Sequence, residues 1–353
     1  MASLIDNGTF TFNPEEVKSY SEVIQQLVYT NPTITDIHSV ETGIKHDKQI
    51  VFAGKLGLLG KAKTDCTPNT AGGITLTQKF WRPKLFDFRL EHCQADVSAQ
   101  DKLVNQWTKV NPDYHNVVEG SGSATGDFLV GIVQDAMPED ILVKAWFSDT
   151  AAATFTNSGN FTNGTDLALV NTINGIFKQI FAEISTPTVA IAKNAEDTYV
   201  EQELALGESV AVFKGLYNKA DSRLRGSADA QFLVTRSLYD GLLNDIEDKQ
   251  FNAGFSEIVE NGKTTLTYRG IRVVQMEVWD RYIASMQNNG TKYFRPHRAV
   301  LTTKNNIPIG TPDTESLTTL DAFYDKVTKK NYIDAEYGLD AKLLETYLCA
   351  VAY

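Results

Sequence analysis

The chain has 353 residues, 42% of them apolar and 22% charged, which is enough for about two domains with a sizeable core and shows no bias toward disorder. Its net charge of −11 excludes a protein that grips nucleic acid by neutralising phosphates over a basic surface, although not a container whose wall faces DNA without holding it. Cys66, Cys93 and Cys349 fit neither a zinc pattern nor a closed disulfide framework, and read as free thiols of a reducing compartment.

Residues 1–16 carry no basic region and no apolar run, so they are not a signal peptide, and no window approaches the ~18 apolar residues of a membrane span. The sequons at Asn7, Asn160, Asn163 and Asn289 read as chance turn sequences. Residues 1–12 form a mostly polar arm. Asn13-Pro14-Glu15-Glu16 then starts a helix, with Asn13 as cap, Pro14 at the first helical position and Glu16 completing a capping box. Val17, Tyr20, Ile24, Leu27 and Val28 follow at helical spacing, and Asn31-Pro32 ends the run.

Lys48 to Phe52 is strand-like. Gly54, Gly57 and Gly60 follow, then a polar tip from Lys61 to Thr70, and alternating Ile74, Leu76 and Phe80 run back. The pattern predicts a long two-stranded excursion. Two strands alone are marginal in water, so the excursion needs something to lie on, and a neighbouring subunit is the natural candidate.

Ser98 caps a predicted helix with Leu103, Val104 and Trp107 on its apolar face, and Gly120 to Gly126 is a loop. Phe128–Gln134 and Pro138–Phe147 predict an interrupted helical stretch whose second part starts at Pro138-Glu139-Asp140. A Thr/Asn/Gly-rich loop then reaches Thr165. The strongest helix signal covers 166–184, where Leu167, Val170, Ile173, Phe177, Ile180, Phe181 and Ile184 make a wide stripe. A second amphipathic helix carries Val210, Phe213, Tyr217, Ala220 and Leu224. Gln231–Thr235 is a short buried strand, and Ser237 starts a helix through Leu238, Leu242 and Ile246.

Glu257 to Leu266 predicts a hairpin around Asn261-Gly262. Ile271–Trp279 and His297–Thr302 read as strands, and Asn305-Asn306 and Gly310-Thr311-Pro312 as turns. Tyr332, Asp334 and Tyr337 alternate near the end of the chain. The apolar run Tyr347–Tyr353 reads as a strand docked in a sheet, since otherwise it would expose an adhesive edge. The fold class is α+β.

No motif carries catalysis. Gly54, Gly57 and Gly60 lack the dinucleotide-binding spacing, and Gly120-x-Gly122-x-x-x-Gly126 has one residue too many. The five histidines never pair at i, i+4. His92-Cys93 beside Asp87 lacks a third member. Asp245, Glu247 and Asp248 read as the solvated end of a helix, and the helix dipole accounts for Glu139 and Asp140. Arg223 with Arg225, and Arg295 with Arg298, are small basic clusters suited to pairing with acids at a subunit interface.

Several runs occur in a telling order: Trp81-Arg-Pro83 with Cys93, Ala145–Asp149, Ile173–Ile180, Tyr217–Arg223, Phe232–Asp240, and Arg298–Asn306 with Ile309-Gly310-Thr311. In these the chain resembles the major capsid proteins of tailed bacteriophages with the Hong Kong-97-type (HK97-like) fold, particularly those of crAss-like and related phages of Bacteroidota. The resemblance implies an N-terminal arm at 1–40 and an extended β-ribbon loop at 41–83. It places a peripheral domain with a spine helix at 84–170 and 321–353, and an axial domain at 171–320. It implies a structural subunit, not an enzyme, that self-assembles as pentamers and hexamers into an icosahedral shell enclosing double-stranded DNA. No catalytic residue, cofactor or metal is expected. Partners would be other copies of the chain, portal, scaffold or decoration proteins, and packaged DNA held without sequence-specific binding; no membrane is involved. The protein would reside in the virion after assembly in the host cytoplasm. Candidate assembly contacts are Val17, Tyr20, Ile24, Leu27, Lys55, Leu58, Lys61, Arg223 and Arg225. An encapsulin-like nanocompartment shell would share the fold. A soluble hydrolase would need convergent polar groups in one pocket.

Overall fold

The structure, a computed structural model, describes residues 32–45, 47–50, 79–93, 124–249, 255–260, 263–312, 321–325 and 330–353. The expected helix after Asn13, the ribbon's glycines and tip, the helix after Ser98, and Gly120 with Gly122 lie outside the described residues.

Pro32 opens a helix instead of only ending one. Helix α1 (Pro32–Ile37) begins on it, because a proline at the first helical position gives up an N–H that has no helical partner anyway. Strands β1 (Val40–Glu41), β2 (Lys48–Gln49), β3 (Phe80–Trp81) and β4 (Lys84–Cys93) follow. Helix α2 (Ala124–Phe147) takes in Ala124–Gly126, where a loop was expected, and runs through Pro138 without the expected interruption. A mid-helix proline costs about 3 kcal/mol. Met137 just before it and Ile141, Leu142, Val143, Trp146 and Phe147 beyond it are all buried. Each large apolar side chain contributes about 1.5–3 kcal/mol, so their burial outweighs the proline. Glu139 and Asp140 are therefore mid-helix, and ion pairs occupy them instead of a helix terminus: Glu139 with Arg281 at 3.0 Å and Asp140 with Lys144 at 2.6 Å.

The expected helix over 166–184 is broken in two. Leu167–Leu169 is a 3-10 turn capped by Asp166, and helix α3 covers only Ile176–Glu183. Gly175 is the break. Its N–H donates to the Ser148 carbonyl at 2.7 Å, and a Cβ there would stand 2.9 Å from the Trp146 backbone. The chain passes too close to the end of α2 to continue a helix. Burial of the stripe survives, since Val170, Ile173, Ile176, Phe177 and Ile180 are all in the core.

Helix α4 (Glu208–Lys219) buries Val212, Phe213 and Leu216. Ala220 is extended, so Leu224 falls on a separate short helix, α5 (Ser222–Arg225), capped by Asp221. Strand β5 (Ala230–Val234) and helix α6 (Arg236–Lys249) match expectation. So does the hairpin of β6 (Phe255–Glu260) and β7 (Lys263–Tyr268), where Glu260 faces Lys263. Strand β8 (Ile271–Gln275) stops short of Trp279. The next residues form helix α7 (Glu277–Met286), which buries Trp279 and Ile283 four positions apart and carries Glu277 and Asp280 in its first turn. Strand β9 (Ala299–Thr303) follows. Strand β10 (Ile309–Gly310) replaces part of an expected turn. The last strands are β11 (Asp321–Asp325), β12 (Lys330–Ala341) and β13 (Cys349–Ala352).

Among the described residues there are three sheets. A five-stranded sheet runs β1-β10-β12-β11, with β4 also paired to β12 from Lys84 opposite Leu339 to Cys93 opposite Lys330. A six-stranded sheet runs β13-β9-β5-β8-β7-β6, antiparallel except for the parallel β5–β8 pair. The third is the two-stranded β2–β3 pair.

The six-stranded sheet is covered on both faces, and the period-two alternation of its strands decides which core each side chain joins. Leu233, Val300, Cys349 and Val351 face a core built from α1, the end of α2, α3 and α7. Phe232, Val234, Leu301, Ala350 and Ala352 face a second core under α4 and α6. Residues 321–353 are thus shared between sheets: β11 and β12 join β4, while β13 joins β9.

Candidate assembly surfaces

The β2–β3 pair, where the expected ribbon would begin and end, is fastened to the body at several points. Trp81 is fully buried with Ile44, Ile50 and Leu344, and its indole N–H donates to Glu41 at 3.0 Å. A Cβ on Gly310 would fall 2.5 Å from the Trp81 ring, so only glycine lets β10 pass beneath it. Lys79 pairs with Glu183 of α3 at 2.8 Å and also donates to the Leu343 carbonyl. The Arg82 N–H donates to the buried Asp340 at 2.7 Å, and Lys342 neutralises that carboxylate at 3.0 Å. The β2–β3 pair is therefore held on a fixed platform.

Buried polar groups elsewhere are structural. His38 accepts from the Trp146 indole at 3.0 Å and donates through Nδ1 to the Ile307 carbonyl at 2.7 Å. Burial holds its pKa down to about 4, so the ring stays neutral. Ser237 lies 2.7 Å from Nδ1 of His297, a pairing that resembles a hydrolase dyad. The other nitrogen of His297 donates to the Gln202 carbonyl at 2.6 Å instead of a carboxylate, and the ring is buried. Neither residue lines the cavities of about 420 and 540 Å³ beside Tyr353 and beside Cys349. A catalytic triad orients its histidine with an acid, and His297 has the Gln202 carbonyl in that place. Burial pushes the Cys349 thiol up to about 12, leaving it unreactive.

Arg298 is fully buried beneath Phe177, its guanidinium 4.5 Å from the ring centre, and it donates to the Arg295 and Phe294 carbonyls and to Gln287. Burial pulls its pKa down to about 9. It is a core residue, not the interface residue its pairing with Arg295 suggested. Asp245 also departs from the reading of a solvated helix end. It is buried and accepts the Gly207 and Val210 N–H groups, capping α4 from α6.

Of the candidate contact residues, Val17, Tyr20, Ile24, Leu27, Lys55, Leu58 and Lys61 lie outside the described residues. Arg223 and Arg225 are exposed on α5, just beyond the C-terminal end of α4. Arg223 lies over the Tyr347 ring at 4.0 Å and pairs with Asp221 at 2.9 Å, holding that carboxyl down to about 2. Arg225 and Arg269 both approach the Tyr217 ring, at 5.7 and 4.7 Å. Sequence reading missed Arg269, Tyr217 and Tyr347 as companions because three separate segments bring them together.

Among the described residues no group of three or more His, Cys, Asp or Glu side chains could hold a metal ion, and no helix is long and apolar enough to cross a membrane.

No family model matches the sequence, and no curated protein matches it. Solved structures do match. A chain of the satellite phage P4 procapsid including size determination (Sid) protein superposes with a TM-score of 0.51 at 9% identity, covering 95% of this chain and 97% of its own. The chain has the Hong Kong-97-type fold. A chain from the capsid of a native GTA particle matches at a TM-score of 0.49 and 12% identity over 100% of this chain and 93% of its own. One from the holo-SrpI encapsulin complex of Synechococcus elongatus PCC 7942 matches at 0.44 and 6% over 92% and 87%. The Hong Kong-97-type fold of this chain thus carries the fastened β2–β3 pair and the arginine–tyrosine patch.

Proposed function

We propose that this chain is the major capsid protein of a tailed bacteriophage, a subunit that assembles with itself into hexamers and pentamers of a closed shell around double-stranded DNA. The likeness in fold to a chain of the phage P4 procapsid over 95% of the chain carries this reading. Net charge supports it, since a wall with a charge of −11 per subunit encloses DNA without trapping it. The reading keeps an arm at 1–40, an extended loop at 41–83, a peripheral domain at 84–170 and 321–353, and an axial domain at 171–320. Pairing of β4 with β12 supports a peripheral domain made of two distant segments. Portal, scaffold and decoration proteins would complete the particle, with assembly in the host cytoplasm. Electron microscopy of the purified chain, expressed alone and with its phage's scaffold, tests the proposal. Closed shells are expected; a folded monomer under every condition would overturn it.

A further inference from the structure

The segment between residues 196 and 207 has no regular strand or α-helix, yet it is tightly fixed. Gln202 is buried and exchanges hydrogen bonds with both backbone groups of Tyr293, at 2.9 and 3.0 Å. The Tyr199 N–H donates to the Thr291 carbonyl at 3.0 Å, and Asp245 holds the Gly207 N–H. This ordered loop turns aliphatic side chains outward: Val200 is 75% exposed and Leu206 56%. Glu196, Glu201 and Glu203 are exposed beside them. Held in a fixed loop, these two aliphatic groups can be buried by a partner at little cost in ordering.

The opposite chemistry sits at the other end of α4. Arg223, Arg225, Arg269 and Lys219 gather there with Tyr217 and Tyr347, against the acids Asp221 and Glu345. Arg225 acts on the Asp221 carboxylate only at longer range than Arg223 does, and Arg269 reaches the Asn218 side chain at 3.4 Å. Arg269 stands in the tight turn between β7 and β8, where it and Gly270 both take left-handed φ, and its guanidinium lies over Tyr217. Arginine and tyrosine are the side chains that most often dominate contact energies between proteins. The loop precedes α4 and the patch follows it. The helix has 12 residues, so the two surfaces are separated by roughly 18 Å of helix.

We propose that the acidic loop at 196–206 of one copy docks on the arginine–tyrosine patch of the next, forming a head-to-tail contact between copies. Charge complementarity selects this occupant: like ends repel and unlike ends attract. Two different patches on one chain form a heterologous contact, which closes into a ring when the rotation allows. The inference rests on the reading of the chain as a self-assembling shell subunit and names a surface that does the assembling.

Sedimentation velocity on charge-swapped chains tests it. R223E/R225E and E201R/E203R, each checked for folding by thermal melting, should lower the assembled fraction about tenfold. The chain carrying all four substitutions should recover assembly. V200S alone should weaken assembly without moving the melting temperature, because Val200 touches solvent in the single copy. Paired variants that fold and assemble like the unaltered chain would overturn the contact while leaving the shell reading intact. So would a fourfold variant that folds but does not recover. An unaltered chain that never assembles would remove both.

Discussion

Trp279 meets Trp146 edge to face, with ring centres 4.6 Å apart and both indoles fully buried. Their polar atoms fare differently. The Trp146 N–H is held by His38, while the Trp279 N–H has no partner. The two conservative substitutions should therefore be unequal. Trp146→Phe orphans a buried ring nitrogen of His38 and should cost about 1–3 kcal/mol beyond lost packing. Trp279→Phe removes a buried donor that nothing satisfies and should cost less. Denaturant titration of both variants reads the difference, and equal losses would show that packing alone governs the pair.

His38 gives stability a pH dependence. Its folded pKa, about 4, lies below the ordinary 6.5 because burial penalises the charged ring. A lowered folded pKa means stability that is present above 6.5 and lost as pH falls toward 4, on the order of 3 kcal/mol over that window. Asp280 works in the opposite sense. Burial raises it from 3.8 to about 6, so its contribution is full below 3.8 and is lost as pH rises through 6. Comparing His38→Gln with the unaltered chain at pH 7.5 and 4.5 cancels the Asp280 effect. The variant should lose less stability on acidification, and parallel pH curves would refute the assignment.

Phe177 joins Trp146, Trp279 and Phe147, with ring centres 4.8–5.2 Å away. Phe177→Ala should cost about 3–5 kcal/mol, as large buried aromatics do. Ile180→Asp should do at least as much damage by burying a charge one turn on. Melting temperatures that stay put in both variants would place this face at the surface.

The sequence made this core legible and its chain path less so. Helical spacing found Ile173, Phe177 and Ile180, since burial imposes that spacing whether or not one helix carries them. It could not see Gly175 pressed against Trp146, a contact between segments, and so ran two elements together. Pro138 misled in the other direction: a local rule breaks the helix, and burial of Ile141 to Phe147 overrides it. Helix α7 did leave a signal, Trp279 and Ile283 four apart behind Glu277, but the preceding β-branched run masked it. At the candidate surface, Arg223 and Arg225 were readable as a pair. Their aromatic companions were not, because nothing in linear order links Tyr217, Arg269 and Tyr347.

Deleting residues 53–73 should leave the body folded and impair assembly. The described contacts of the ribbon root, including Trp81 with Glu41, Lys79 with Glu183 and Arg82 with Asp340, all lie outside the deleted stretch. Circular dichroism and melting of the deletion variant should resemble the unaltered chain, while sedimentation shows fewer shells. A globally unfolded product would mean that the deleted stretch belongs to the subunit's own core.

Asp245 links the stability of one helix to the order of the proposed contact loop. It sits on α6, yet it accepts the N–H groups of Gly207 and Val210 at the start of α4, where orphan donors would otherwise be buried. Asp245→Ala should cost about 1–3 kcal/mol, more than an exposed cap, because its carboxylate is buried and its removal leaves buried N–H donors unpaired. The damage should not spread evenly. Gly207 ends the segment carrying Val200 and Leu206, so hydrogen exchange should quicken at residues 199–211 well before it does in β5 or β9. Assembly should weaken by more than the loss of stability explains, since the loop would have to be ordered again at each contact. Uniform loss of protection across the chain would instead make Asp245 an ordinary core anchor with no separate hold on the loop.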